Sequence, residues 1–208
     1  MIGKEQVLTI FIALFAIIDP FGNIPVFLAL TERMDISQKK QVAIKSCFYA
    51  FLVLLLFLFL GRWILNYFGI SVPAFQVGGG VIIFLAGLPM LFARPLGMRS
   101  LDSEIAECSE REEVSLVPLA VPMLAGPGAI TTVVVLTDRY PGLEGKMVIL
   151  GAVFLVLTFT ALLFWYAERI LRGIGQTGLN FLTRIMGLIL VILAVQYILS
   201  GIKAFFQT

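Results

Sequence analysis

Asp19-Pro20-Phe21-Gly22-Asn23-Ile24-Pro25 interrupts an apolar run that otherwise extends from about residue 5 to residue 31. Proline removes a backbone donor and its ring collides with the preceding turn, and glycine lowers helix propensity by about 1 kcal/mol. A helix carrying this stretch is expected to break, not merely bend. The same punctuation recurs in Val121-Pro122-Met123-Leu124-Ala125-Gly126-Pro127-Gly128-Ala129, inside a second apolar run over about 116–137. Each of these runs is long enough to cross a bilayer core, which takes about 20 apolar helical residues. Further runs at about 43–67, 72–93, 147–171 and 180–204 bring the expected spans to six.

The composition agrees with a membrane protein. Of the 208 residues 60% are hydrophobic and 13% charged, against about 25% charged in soluble domains, and the mean hydropathy is +1.02. A water-soluble fold of this size cannot hide that much apolar surface. The chain contains no histidine, which removes histidine-ligated metals, Ser-His-Asp triads and HExxH proteases. Cys47 and Cys108 form no CxxC motif and read as free thiols. With neither a Ser-Lys pair nor a second intramembrane aspartate in view, no enzyme is expected, and no cofactor or metal. A net charge of +2 gives no nucleic-acid signal. The N-terminal run lacks a small-residue cleavage site and reads as a retained first span.

The two broken segments align. Gly22 through Thr31 lies over Gly128 through Thr137 at an offset of 106, with glycine, isoleucine, leucine and threonine identical. Val77-Gly78-Gly79-Gly80-Val81-Ile82-Ile83 lies over Arg184-Ile185-Met186-Gly187-Leu188-Ile189-Leu190 at an offset of 107. Two separated matches at nearly one offset argue for an internal repeat. Each half holds three spans, an odd number, so the second half enters the membrane from the opposite side. The expected fold is an all-α membrane protein of six transmembrane helices in two inverted three-helix repeats, with helices 1 and 4 broken near the midplane. The halves are 1–95 and 116–208, joined by an acidic connection over 96–115. Its SEREE stretch suits a short exposed helix. Spans 2, 5 and 6 read as continuous scaffold helices, with Trp63, Tyr67, Trp165 and Tyr166 as interfacial anchors.

Lysine and arginine set the orientation. Placing the N-terminus outside puts Arg33, Lys39, Lys40, Lys45, Arg94, Arg99, Arg111, Arg169, Arg172 and Arg184 inside, and Lys4, Arg62, Arg139, Lys146 and Lys203 outside. Both termini of a multi-pass plasma- or inner-membrane protein are therefore expected outside.

The half-helix after each break presents free N–H groups and a partial positive charge of about +0.5. Asn23 fits an N-cap and Pro25 a first helical turn. Two such N-termini suit an anion or a carboxylate. The lining residues Gly22, Ala125, Gly126, Pro127, Gly128 and Ala129 are small, with Phe21 beside them and hydroxyls from Thr131 and Thr132. A glycine- or alanine-sized zwitterion matches this set. Its ammonium would go to the carbonyls ending the first half-helix or to Asp19. Asp19 is the one acid well inside a span, where ionisable residues mark function by default. Three roles fit it: ammonium ligand, proton or cation coupling group, and structural cap. Gln76 and Gln196 are the other deep polar side chains, suited to the pathway or to interhelical hydrogen bonds. Gly78, Gly79 and Gly80 suit close helix packing or a hinge. A leucine at 128 is expected to fill the cavity without unfolding the protein.

Through the DPFGNIPVFLALT and AGPGAITTVV stretches the chain resembles the MarC family of bacterial and archaeal membrane proteins. The resemblance runs over essentially the whole length, with Asp19, Pro20, Gly22, Asn23 and Pro25 matching the first signature and Gly126, Pro127, Gly128 and Thr131 the second. It implies transport of small neutral amino acids such as glycine and alanine in some members, with a proton or sodium gradient as the candidate drive. The expected function is thus a secondary transporter working by alternating access. A channel or exporter for another small polar or anionic solute is the alternative. Oligomeric state is not legible.

Overall fold

The structure, a computed structural model, describes residues 2–92 and 115–207. Residues 96–114 of the acidic connection, including Cys108 and the SEREE stretch, lie outside the described residues. Among the described residues all regular structure is helical: α1 (Lys4–Ile18), α2 (Ile24–Leu30), α3 (Ile36–Tyr67), α4 (Val72–Leu91), a π-helical segment (Ser115–Leu124), α5 (Pro127–Arg139), α6 (Leu143–Trp165) and α7 (Ala167–Phe205). Four of these helices, α3, α4, α6 and α7, are long and apolar enough to cross a membrane. At 15 and 7 residues α1 and α2 are each too short.

Local chemistry explains the boundaries. Asp35 accepts a hydrogen bond from the Gln38 N–H at 2.8 Å while Gln38 accepts from the Asp35 N–H at 2.9 Å, a reciprocal cap that starts α3. At its other end Gly69 takes φ +67, and the Ile70 N–H donates to Leu65 at 2.9 Å. A left-handed glycine that closes a six-residue ring is a standard helix stop. Ser71 caps α4, accepting from the Ala74 N–H at 3.3 Å, with Pro73 in the first turn.

Two hydropathy-based boundaries shift. The span expected over 147–171 ends at Trp165, where Tyr166 leaves helical geometry. Helix α7 starts well before the span expected over 180–204, which is itself unbroken: Gly175 adopts φ 67, ψ 174, separating Ala167–Ile174 from the long apolar part. Arg169 and Arg172 alternate with Ile170, Leu171 and Ile174 in that short piece, a pattern that suits the membrane surface. Hydropathy windows merge such a piece with its neighbour because its apolar residues keep the average up.

Helices α3 and α6 pack together, α1 packs on α5 and α6, and α4 packs on α7 along its length. The α4–α7 contact is antiparallel and glycine-mediated. A Cβ at Gly80 would lie 2.8 Å from Ile198 and 3.0 Å from the Ala194 carbonyl. One at Gly187 would lie 2.5 Å from the Leu91 nitrogen, and one at Gly201 2.9 Å from the Pro73 carbonyl. This is the small-residue packing that replaces hydrophobic driving force in lipid. Gly78 faces open space, so only Gly79 and Gly80 of the glycine run act in packing.

Polar contacts gather at two ends of the bundle. At one end the Ile2 N–H donates to Glu144 at 2.8 Å, and Arg62 pairs with Asp138 at 3.2 Å. At the other Lys39 pairs with Glu168 at 2.6 Å. Lys39 and Arg62 lie on one helix, ~35 Å apart by helical rise, close to the bilayer thickness. The Arg62–Asp138 pair is half exposed on both sides. Arg62→Ala is therefore expected to change unfolding free energy by about 1 kcal/mol or less, measured by thermal unfolding in detergent.

Candidate functional site

Asp19 ends α1. It takes φ 49, ψ 68, and is the one non-glycine residue with positive φ among the described residues. Aspartate and asparagine tolerate this region better than other side chains, and Pro20 prevents the helix from resuming at once. The Asp19 N–H still closes the last turn onto Phe15 at 3.0 Å. Its carboxylate Oδ1 then accepts the Gly22 N–H at 3.0 Å, and its carbonyl accepts the Asn23 N–H at 3.2 Å. The carboxylate is thus set at the N-terminus of α2. It is 4% exposed, and among the described residues no lysine or arginine pairs with it.

Asn23 departs from the sequence expectation. Its side chain accepts no hydrogen bond from α2. Instead its Nδ2 donates to the Ile18 carbonyl at 2.8 Å and the Asp19 carbonyl at 3.0 Å. It satisfies the C-terminal carbonyls of α1; an N-cap here would accept from the second or third residue of α2, and the second is Pro25, which has no N–H. Phe21 is clamped between Phe15, at 6.1 Å, and Phe159, at 6.0 Å, by edge contacts. Gly22 has no room for a side chain: a Cβ would collide with the Asp19 carboxylate and the Met90 methyl.

The second break is built differently. The chain before it is π-helical, and the Ala125 N–H reaches the Ala120 carbonyl at 2.8 Å. Such wide turns are rare and concentrate at functional sites. Gly126 then extends to φ −69, ψ 170, and Pro127 opens α5 at the first helical position. No side chain caps α5. Ala125, Gly126, Gly128 and Ala129 are buried and Pro127 is exposed. Thr132 donates to the Gly128 carbonyl at 2.8 Å, and Thr131 packs on Gly79 of α4. Both threonines are buried.

The two breaks are neighbours. A Cβ at Gly128 would lie 3.4 Å from Ile17, two residues before Asp19, and 2.7 Å from Ile83 of α4. Ile83 therefore fills the space that the sequence reading left to a ligand. Gly128→Leu would strike Ile83 instead of filling a void, so it does not separate binding from folding. Gln76 is half-buried on the face of α4 that carries Gly79 and Gly80. Gln196 is not at the breaks. It is exposed and donates to Ser200 on its own helix at 3.0 Å. Three residues of the site escaped sequence reasoning: Ile83 and Met90 beside the two glycines, and Tyr197, which reaches Thr132. Met90 and Tyr197 are 107 residues apart, equivalent at the offset of the second repeat match, but no residue is identical between 84–90 and 191–197, so the sequence carried no signal for them.

A family profile described as "MarC family integral membrane protein" matches residues 5–206. The chain is 40% identical to the UPF0056 membrane protein MJ1677 of Methanocaldococcus jannaschii over 193 residues, covering 93% of this chain and 94% of the relative. It is 38% identical to a UPF0056 membrane protein of Aquifex aeolicus over 194 residues, covering 93% and 90%. With YvbG of Bacillus subtilis, a further UPF0056 membrane protein, the identity is 37% over 198 residues, covering 95% and 94%. These names state membrane residence and no substrate. No solved structure gives a significant match.

Proposed function

We propose that this chain, which belongs to the MarC family of integral membrane proteins, is a secondary carrier that moves a small polar solute at the junction of its two broken helices. The observation that carries the reading is the buried Asp19 carboxylate, without a cation partner among the described residues, at a helix break that touches a second break. Holding a carboxylate there is costly, and broken helices meeting within the membrane are how many secondary transporters build their binding sites. The solute class is a neutral amino acid of glycine or alanine size, with a proton or sodium ion meeting Asp19.

Six crossings in two inverted halves fit the contacts. Ile2 precedes α1 and meets Glu144, while α2 leads into Lys39 at the opposite end; α1 and α2 together traverse the bundle. Asp138, ending α5, returns to the Ile2 end through Arg62. The α4–α7 contact also obeys the repeat. Gly80 faces Ile198, and adding 107 to the first number while subtracting it from the second gives Gly187 facing Leu91, which is also present. That reciprocity is the mark of a twofold contact. Thr31 and Thr137, equivalent at the offset of 106, make the same bond one turn back, to Phe27 and Val133, each at 2.7 Å.

Reconstituted protein is expected to accumulate labelled glycine or alanine only while a proton or sodium gradient is imposed, and to exchange label in counterflow. Flux that never saturates would identify a pore, and failure to bind or move any small neutral amino acid would remove the substrate class. In a Cys47→Ser, Cys108→Ser background, Lys4→Cys is expected to react with an impermeant thiol reagent on intact cells and Arg33→Cys only after lysis. The opposite pattern would invert the orientation.

A further inference from the structure

A cavity of about 230 Å³ opens at the Lys39 end of the bundle. Helix α2, the end of α6, the short helix Ala167–Ile174 and the first turns of α3 line it, with Lys39, Lys40, Phe164, Trp165, Tyr166 and Arg169 in its wall. Glu168 is also in the wall and is engaged by Lys39 at 2.6 Å and by Arg172 at 3.9 Å. Lys40 and Arg169 have no carboxylate partner among the described residues. Lys40 Nζ stands 4.5 Å from the Trp165 ring centre, and the Arg169 guanidinium 5.5 Å from that of Tyr166. Aromatic faces hold a cation in place without neutralising it. The acid nearest in sequence to Lys39, Asp35, is turned onto the Gln38 N–H. The cavity wall thus carries two uncompensated cations.

We propose that this cavity binds the phosphodiester headgroup of an anionic membrane lipid, with Lys40 and Arg169 on the phosphate. Two features select a lipid over a soluble phosphate, and a third fits a headgroup. The cavity lies where the apolar length of α6 ends, at a Trp-Tyr pair of the kind that marks the headgroup level. Leu162, about one turn deeper on α6 than Trp165 of the cavity wall and 52% exposed, offers an apolar track for an acyl chain. Its volume falls below the range of about 300–1,000 Å³ typical of sites for whole soluble ligands. A headgroup with its chains left in the bilayer needs less space. The site is independent of the proposed transport.

The test is native mass spectrometry of the delipidated full-length protein with equal amounts of phosphatidylglycerol and phosphatidylcholine of matched chains. Phosphatidylglycerol is expected to be retained at least about tenfold better, since each cation near a headgroup contributes about fivefold. Lys40→Gln and Arg169→Gln should each reduce that preference by about fivefold. Lys146→Gln serves as control, because Lys146 also sits over a ring, Phe59 at 5.2 Å, but outside this cavity. It should leave the preference unchanged. Equal retention of the two lipids by the unmodified protein, an equal loss in the control, or displacement of the lipid by millimolar inorganic phosphate would each overturn the proposal.

Discussion

Gly187→Leu is expected to leave no folded protein to purify, and Gly187→Ala to cost about 3 kcal/mol, at the upper end of overpacking effects. The reason is what the new atom would strike. A Cβ at 187 would lie 2.5 Å from the Leu91 nitrogen, 2.8 Å from the Met90 Cβ and 2.9 Å from the Met90 carbonyl carbon. Those are backbone or backbone-linked atoms of a packed helix and cannot rotate aside. Lipid tails are as apolar as the side chains, so α4 and α7 associate by close packing and not by escape from water. Separating them by a methyl group forfeits that packing along the whole contact. Gly80→Ala should be milder, because its nearest obstacle is the Ile198 side chain at 2.8 Å, although the Ala194 carbonyl at 3.0 Å limits the relief. Gly78→Ala meets nothing within 4 Å and should stabilise by up to about 1 kcal/mol through helix propensity. Thermal unfolding in detergent, read by the fraction surviving size-exclusion chromatography, checks the order 187, 80, 78. Equal effects at 80 and 78 would refute the antiparallel glycine contact.

The breaks were legible because their signal is local and costly. Proline and glycine inside an otherwise unbroken apolar span have no cheap helical solution, and both interruptions lie within the stretches the sequence marks. The side chains that face them were not legible. A soluble helix reveals its inner face by polar residues on the other, but α6 is apolar all round over its spanning part and the few polar residues of α7 do not mark an inner face, so hydropathy carries no rotational phase. Gln196 shows the consequence: polarity suggested an interior position, and the helix turns it outward to Ser200. The better phase marker is residue size. On α6 the buried set includes Gly145, Ala152 and Thr160, each small enough for close approach. Asn23 fits a helix N-cap by type, yet its amide serves the carbonyls of the preceding helix, and Pro25 offers no N–H at the second position of α2 for a cap to accept. The cation cavity could not be read at all. Lys40 and Arg169 are far apart in sequence, and a charge count treats them as two votes for orientation.

Asp19 carries the second large effect, and three substitutions separate its roles. Asp19→Asn keeps a side-chain oxygen that can accept the Gly22 N–H and a residue type that tolerates φ 49. It should fold and unfold like the unmodified protein. It removes the charge, however, and if the carboxylate meets the coupling cation or the solute's ammonium, concentrative uptake should fall by at least tenfold, the scale of a lost charged hydrogen bond. Asp19→Ala removes the acceptor as well. It leaves the buried Gly22 N–H unsatisfied at about 1–3 kcal/mol and places a Cβ residue without local hydrogen bonding in the left-handed region. It should lose stability and transport together. Asp19→Gly relieves the backbone but not the lost acceptor, so its stability should fall between the other two. Stability therefore follows the hydrogen bond and φ, in the order Asn, Gly, Ala, while uptake follows the charge and is lost in all three. If Asp19→Asn transports at the original rate with the original dependence on the imposed gradient, the carboxylate is a cap for α2 and nothing more. The uncapped N-terminus of α5, where no side chain caps the first turn, suits the solute's carboxylate and not a cation, so a coupling ion must then be sought at another group.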